Sequence, residues 1–220
     1  MRNWAEDKIM LVLIRHGSTK ANLEHRYLGK TDMPLSEDGK KELMEYGRRK
    51  GYPAVDYLFS SPMKRCVQTA EILYPGEKPV CIEEWAEMDF GEWEGKNYQD
   101  LKGDEYYRRW VEGNGMLPFP GGESREDFIS RCEKGFLRME EGLKQNRAFR
   151  QGGKAGCCRP DGEKRMETVG MIVHGGTIMA LLSKYGGGNY FGYQIANGKG
   201  YICICKGLPL SPKITGIREI

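Results

Sequence analysis

The chain has 220 residues, of which 39% are hydrophobic and 30% charged, a composition that excludes a disordered tail or a fibre. Its net charge of +3 is too small to indicate a nucleic-acid-binding or membrane-surface protein, so we expect neither nucleic acid nor membrane among its partners. The first apolar run, residues 9–14, is too short for a signal peptide or a membrane span, which predicts a cytoplasmic location.

Strand and helix patterns alternate along the chain. Continuous apolar runs predict buried strands at 9–14, 55–59 and 168–173. A shorter strand is predicted at 79–82. Capping residues followed by helical spacing predict five helices, at 36–51, 64–73, 97–112, 124–145 and 175–184. This alternation predicts an α/β fold in three layers, a mostly parallel sheet with helices on both faces.

Three further segments complete the predicted domain. Residues 146–167 have no apolar period and carry six basic residues against three acidic ones, which predicts an exposed loop. Residues 201–205 and 214–220 are candidate edge strands. We therefore predict a single domain over 1–220, with a core at 1–96 and 168–220 and a small helical cap and insertion at 97–167.

The seven cysteines are scattered and include no C-x-x-C pair. This spacing predicts reduced thiols and no metal site. Adjacent Cys157 and Cys158 are interpreted as two loop thiols, with a redox-sensitive pair as the alternative.

Side chains suited to phosphate chemistry follow the predicted strands. His16 and His174 each come directly after a central strand, and each is followed by glycine. Arg15 precedes the first histidine, Arg65 begins the helix after the second strand, and Glu87 follows the third strand. Because ligands bind at the carboxyl ends of strands in such sheets, we expect these five side chains to share one crevice.

The chemistry of this set suits phosphoryl transfer from an anionic monoester. Arginine binds phosphate oxygens through two parallel hydrogen bonds and remains charged. Helix N-termini behind the two histidine-glycine pairs offer backbone N–H groups to the same oxygens. Neighbouring arginine charges disfavour the imidazolium form, which leaves a histidine lone pair free to attack phosphorus. A protonated carboxyl group can then supply a proton to the leaving oxygen.

The segment from Arg15 to Asn22 reads RHGSTKAN, and it resembles the RHG[ES]T-x-x-N signature of the histidine phosphatase (phosphoglycerate mutase-like) superfamily. Later blocks match in the right order, DMPLSEDG at 32–39, SSPMKRCVQTAE at 60–71, EMDFGEWEG at 87–95, PGGES at 120–124 and VHGG at 173–176. The EMDFGEWEG and PGGES blocks are more similar to the α-ribazole phosphatase branch than to the glycolytic mutases. The resemblance covers nearly the whole chain.

The resemblance implies a metal-independent phosphatase with no cofactor that acts on a small phosphorylated metabolite, α-ribazole 5'-phosphate or a sugar phosphate among the candidates. His16 would be the phosphorylated nucleophile, and Glu87 the general acid and later the base. The residues implied to bind phosphate or substrate are Arg15, Ser18, Asn22, Arg65, His174 and Gly175.

Several alternatives remain open from the sequence. A mutase would use the same first half-reaction and return the phosphoryl group to another hydroxyl. A non-catalytic phosphate-binding module and a metal-dependent phosphoesterase are weaker hypotheses, the latter because two arginines repel a divalent cation. Arg108 and Arg109 are candidates for a second anionic group of the substrate or for ordinary surface charge. His25 is interpreted as a surface or rim residue, and the oligomeric state as monomer or homodimer.

Overall fold

The computed structural model describes residues 8–49, 51–151, 166–208 and 211–220. Within them the chain forms one six-stranded sheet in the order β3-β2-β4-β1-β5-β6. The strands are β1 Ile9–Arg15, β2 Tyr57–Ser60, β3 Val80–Cys81, β4 Glu167–Val173, β5 Gly200–Lys206 and β6 Lys213–Glu219. Strands β1 to β4 are parallel, whereas β5 is antiparallel to both β1 and β6. The predicted α/β class with a mostly parallel sheet is confirmed.

The sheet is buried on both faces, which explains the uninterrupted apolar run in β1. Leu11 and Leu13 belong to one core cluster, and the alternate residues Val12 and Ile14 belong to another. The helices of the described residues are α1 Lys20–Leu23, α2 Glu37–Arg49, α3 Lys64–Leu73, α4 Glu105–Glu112, α5 Arg125–Gln151 and α6 Gly175–Gly186. The first cluster contains side chains of α5 and α6, and the second contains side chains of α3.

Helix α5 is longer than predicted. The sequence pattern predicts that this helix ends at Gln145 and that an exposed loop begins at Asn146, but the helical backbone continues to Gln151. A missing apolar period argues against packing on a core and does not exclude helical backbone. Because no glycine or proline lies between Gln145 and Gly152, each further residue can add one helical hydrogen bond. Residues 152–165, including Cys157 and Cys158, lie outside the described residues.

The prediction that residues 201–205 form an edge strand is wrong. Strand β5 lies between β1 and β6, and β6 alone occupies that edge of the described sheet. Tyr201, Cys203 and Cys205 are buried, and the two isoleucines between them are half-buried. An apolar run on both faces is typical of an interior strand, so the pattern itself favoured this placement.

The helix predicted over 97–112 is confined to its second half, Glu105–Glu112. The Asn97 side-chain oxygen accepts hydrogen bonds from the N–H groups of Gln99 and Asp100, which holds that segment in a turn. Asp104 then caps α4, because its carboxylate accepts from the Tyr107 N–H at 3.0 Å. The first half of the predicted helix, residues 97–104, is therefore replaced by a loop.

Long helix α5 contributes Phe128, Cys132 and Phe136 to the same core cluster as β1. The division into a core and a cap stays a prediction.

Among the described cysteines, Cys81 is exposed and the remainder are buried, and all of these are free thiols. No helix in the described ranges is long and apolar enough to cross a membrane.

Candidate active site

Adjacent parallel strands bring the two predicted histidines together. Arg15 at the end of β1 is in register with Val173 at the end of β4, so His16 and His174 leave the sheet side by side. Their rings meet edge to face with centroids 5.1 Å apart and an interplanar angle of 67°. The His16 N–H donates to the Val173 carbonyl at 3.0 Å, which fixes the start of the loop. Both side chains are buried.

The hydrogen bonding of His16 identifies the nitrogen that can act as a nucleophile. Its Nδ1 lies 2.7 Å from the Gly17 carbonyl, which can only accept, so Nδ1 carries the proton. The neutral ring therefore has its lone pair on Nε2. Burial, reinforced by the positive charges of Arg65 and Arg15, holds the pKa of His16 well below its ordinary value. The sequence predicted this effect from the arginines alone, but burial is the larger cause.

Two arginines lie at the histidine pair with their guanidinium groups partly tied to backbone. Arg15 Nη1 donates to the Ile195 carbonyl at 2.6 Å. Arg65 Nη1 and Nη2 donate to the carbonyls of Thr31 and Gly29 at 3.0 and 2.9 Å. The Nε–H groups of both arginines are buried and have no acceptor among the described residues. Leaving a buried donor unpaired costs about 1–3 kcal/mol, and an anion would remove that cost.

Glu94 holds the loop that positions Arg65. Its carboxylate accepts from the backbone N–H groups of Gly29 and Lys30 at 3.2 and 3.0 Å, and from the Thr31 hydroxyl at 2.9 Å. The carbonyls of this same loop bind the Arg65 guanidinium. Glu94 is one of several acids in its segment, and its sequence position did not indicate this task.

Glu87 is the acid of that segment that faces the histidines. It is buried, and its Oε2 lies 3.9 Å from His174 Nδ1. Burial raises the pKa of Glu87, although the Met88 N–H and the charges of Arg65 and Arg15 oppose the shift. A raised pKa favours the protonated carboxyl group that a general acid requires.

The neighbouring acids of the same segment have other partners. Asp89 pairs with Lys30 at 2.7 Å, and Glu84 pairs with Arg138 at 2.6 Å. Glu83 and Glu92 are exposed. The structure therefore separates Glu87 from the other acids that the sequence could not exclude.

Helix α6 begins at the histidine pair and approaches closely. A Cβ on Gly176 would lie 2.6 Å from Glu87 Oε1, and a Cβ on Gly175 would contact the Arg15 guanidinium at 3.4 Å. Glycine thus lets the N-terminal turn of α6 reach the site, where its backbone N–H groups favour an anion. Asn22, in α1, also reaches the site, and its Oδ1 accepts from the Thr19 N–H at 3.1 Å.

These side chains open onto one cavity of about 360 Å³. Arg15, His16, Asn22, Glu87 and Gly175 line it, while Arg65 and His174 are fully buried. Arg26, Arg125 and several aliphatic residues also line it, together with six aromatic side chains, those of Tyr27, Phe90, Trp110, Phe119, Tyr190 and Phe191. A dianion at the histidine end would therefore leave an apolar chamber for the group attached to it.

The structure does not bring Ser18, which was predicted to bind phosphate or substrate, to this cavity, and that contact stays a prediction. The Ser18 hydroxyl lies 3.5 Å from Glu42 Oε2, and the residue lines a separate cavity of about 220 Å³. Arg108 also lies outside the site, because it is exposed on α4 and pairs with Glu105 and Glu112 at 3.8 and 3.9 Å. His25 is exposed, as predicted.

An arginine that the sequence analysis missed holds the backbone around Glu87. Arg131, in α5, donates to the carbonyls of Glu84, Ala86 and Glu87 at 2.9, 2.8 and 3.3 Å. It also forms two hydrogen bonds to the Glu123 carboxylate, at 2.9 and 2.7 Å. The only available signal was the acidic residue of the PGGES block, because a basic residue nearly two turns inside a helix is otherwise common.

The site thus combines a neutral imidazole with a free lone pair, two guanidinium groups with unpaired buried N–H donors, and a carboxyl group with a raised pKa. Fixed positive charge can stabilise a pentacoordinate phosphorus during transfer, and the carboxyl group can protonate the leaving alkoxide. The geometry is suited to phosphoryl transfer in two steps.

Comparisons with known proteins are consistent with this chemistry. Residues 11–150 match the family model described as Histidine phosphatase superfamily (branch 1). Phosphoserine phosphatase 1 of Hydrogenobacter thermophilus is 35% identical over 133 residues, which are 59% of this chain and 63% of that relative. The chain therefore spans less than two thirds of that relative's length.

Two solved structures share the fold. The α-ribazole phosphatase of Shigella flexneri has a TM-score of 0.69 at 21% identity, over 94% of this chain and 95% of that one, and this likeness shows the fold alone. A phosphoglycerate mutase of Thermus thermophilus has a TM-score of 0.61 at 25% identity, over 95% of this chain and 98% of that one.

Proposed function

Because this chain belongs to the histidine phosphatase superfamily (branch 1), we propose that it is a phosphomonoester phosphatase that forms a covalent phosphohistidine at His16. One observation carries the proposal. The neutral His16 ring, with its lone pair on Nε2, lies beside two arginines whose buried Nε–H groups lack an acceptor among the described residues. A phosphate dianion bound there would meet both donors and the nucleophile at once.

In the first half-reaction, His16 Nε2 attacks phosphorus and the bond from phosphorus to the ester oxygen breaks. Glu87 gives its proton to that oxygen, and the alcohol leaves. In the second half-reaction, the Glu87 carboxylate takes a proton from water while the water oxygen attacks phosphorus. The phosphorus–nitrogen bond breaks, inorganic phosphate forms, and the lone pair returns to His16. Arg15 and Arg65 neutralise the phosphoryl oxygens in both steps.

The proposed substrate is a small phosphorylated metabolite, and α-ribazole 5'-phosphate and sugar phosphates are candidates. A relative is named as a phosphoserine phosphatase and a structural neighbour as an α-ribazole phosphatase, and these names suggest leaving groups to test first. The proposal includes no metal and no cofactor, because the arginines supply the positive charge.

The test mixes the protein with substrate labelled in the phosphoryl group and stops the reaction rapidly without acid. We expect a protein-bound label that is lost in acid and retained in base, as a phosphorus–nitrogen bond requires, and we expect the same turnover with and without a chelator. A protein that releases phosphate without ever carrying such a label, or that a chelator inactivates, would contradict the proposal.

Transfer to a second hydroxyl is the other candidate, and it is favoured by the likeness to a solved phosphoglycerate mutase. The two outcomes share the first half-reaction and differ in the acceptor of the phosphoryl group. Incubation with a phosphoglycerate separates them. Inorganic phosphate forming faster than the positional isomer supports the phosphatase, and the reverse supports the mutase.

Replacing Arg131 with alanine should impair the chemical step through Glu87. Three carbonyls and the Glu123 carboxylate lose their donor, so we expect the free energy of unfolding to fall by about 2–3 kcal/mol. A displaced Glu87 should also lower kcat/KM for alkyl phosphates about tenfold more than for 4-nitrophenyl phosphate, whose leaving group needs no proton. Denaturant unfolding and steady-state kinetics measure the two effects.

The matched control for Arg131 is Arg138→Ala on the same helix. Arg138 is mostly exposed and pairs with the Glu84 side chain instead of the backbone beside Glu87. We expect a stability change below about 1 kcal/mol and no dependence on the leaving group. A purely structural role for Arg131 would lower both kcat/KM values by the same factor.

A further inference from the structure

Three arginines line the cavity, and they differ in the charge that faces them. Arg15 lies at the histidine end, where the proposed phosphate binds. Arg26 is paired with the carboxylates of Glu24 and Asp100 at 2.7 and 3.0 Å. Arg125, at the start of α5, has no carboxylate partner within the described ranges. It is therefore a cation in the cavity wall whose charge is unmatched there.

The contacts of Arg125 are all to neutral groups. Nη1 donates to the Met116 sulfur at 3.3 Å, and Nη2 donates to the Asn114 carbonyl. The guanidinium carbon lies 4.9 and 4.8 Å from the ring centres of Tyr190 and Phe191. These contacts hold the planar group against aromatic side chains of the cavity wall and leave its remaining N–H groups free to bind a ligand.

Helix stability does not explain an arginine at this position. Arg125 is the first residue of α5, at the positive end of the helix macrodipole, where a cation is unfavourable. Acidic residues occupy the next two positions, as the dipole favours, but Arg125 makes no ion pair with them in the structure. A function at the cavity is the simpler reason for its presence.

The charges around the cavity leave room for one more anion. Lys30 and Arg131 are each paired with a carboxylate, at 2.7 Å in both cases. With Glu87 protonated, the charges of Arg15 and Arg65 match the two negative charges of a bound phosphate monoester. The positive charge of Arg125 then remains uncompensated beside the aromatic side chains of the cavity wall.

From this arrangement, we infer that Arg125 determines specificity by binding a carboxylate on the leaving group of the substrate. The phosphoryl end occupies the site of His16, an apolar or aromatic body lies between the aromatic walls, and the carboxylate meets the Arg125 guanidinium. The inference rests on the proposed phosphatase function and adds the class of substrate, a phosphomonoester of an apolar hydroxy acid.

The test compares phenyl phosphate with its 2-, 3- and 4-carboxy derivatives, in the wild-type protein and in Arg125→Gln. The ratio of kcat/KM between each carboxylated ester and phenyl phosphate is measured for both proteins. Dividing one ratio by the other cancels the intrinsic reactivity of each ester, which the substitution does not alter. We expect at least one isomer whose ratio falls about tenfold or more in Arg125→Gln. Activity on phenyl phosphate should remain within a few-fold, which also shows that the variant is folded.

Arg26→Gln is the matched control, because Arg26 lines the same cavity but already has carboxylate partners. Its ratios should equal those of the wild type. The inference is overturned if Arg125→Gln changes kcat/KM for all four esters by one common factor, or if the wild type hydrolyses other phosphomonoesters but none of these. Failure to hydrolyse any phosphomonoester overturns the proposed function as well, so the two results are distinguishable.

Discussion

Replacing His16 with alanine is expected to abolish the protein-bound phosphoryl label and to lower kcat/KM by on the order of 10⁴-fold or more. The substitution removes the one nitrogen whose lone pair the Gly17 hydrogen bond leaves free. The arginines remain, so inorganic phosphate should still bind. Rapid quench with labelled substrate and steady-state kinetics measure the loss, and phosphate-dependent protection against thermal unfolding shows whether the phosphate site is intact.

His25→Asn is the matched control for the His16 variant. His25 is exposed and has a positive φ of 53°, a conformation that asparagine tolerates better than alanine. We expect labelling and turnover to match the wild type. A label that persists in His16→Ala at the wild-type level would assign the nucleophile to another residue and defeat the proposed mechanism.

The second large effect is expected for Glu87→Gln, and it should depend on the leaving group. Glutamine keeps an oxygen that can accept from the Met88 N–H but cannot donate a proton as the carboxyl group does. We expect kcat/KM to fall by about 10²- to 10⁴-fold for alkyl phosphates and by less than about tenfold for 4-nitrophenyl phosphate. With the activated ester, the phosphorylated protein should accumulate, since the same residue is proposed to activate water.

The pH dependence of kcat/KM gives an independent measurement on the same variant. Phosphorylation needs Glu87 protonated, so the rate should fall as pH rises through its raised pKa. It needs His16 neutral, which the lowered pKa of His16 favours, so the acid limb should follow the second ionisation of the substrate phosphate, at about pH 6. Glu87→Gln should remove the alkaline limb alone, and Glu83→Gln, an exposed acid of the same segment, should change neither limb. A retained alkaline limb in Glu87→Gln would show that another group is the acid.

Much of the site could be predicted because the sequence shows where each buried strand ends. Apolar runs that end at a functional side chain place Arg15, His16 and His174 at one edge of a parallel sheet, and the register of β1 with β4 agrees. Glu87 was harder to identify, since five other acids surround it in the sequence. Its burial, which no local pattern reveals, separates it from them.

The residues that support the site could not be predicted, because their partners are distant in sequence. Arg131 binds backbone more than forty positions away, and Glu94 binds a loop more than sixty positions away. Backbone carbonyls and N–H groups carry no side-chain signature, so neither pairing leaves a trace in composition or spacing. Ser18 shows the reverse case, because a residue inside a recognised motif lines another cavity.

The antiparallel direction of β5 determines which later part of the chain holds the loop that carries His16. Because β5 starts where β1 ends, the turn before it supplies the Gly198 N–H to the Arg15 carbonyl and the Asn197 amide to the His16 carbonyl. The loop at the first strand is thus fastened by segments nearly two hundred positions later in the chain. During synthesis, the loop that carries His16, the proposed nucleophile, can gain these hydrogen bonds only after Asn197 and Gly198 have been made and have folded onto it.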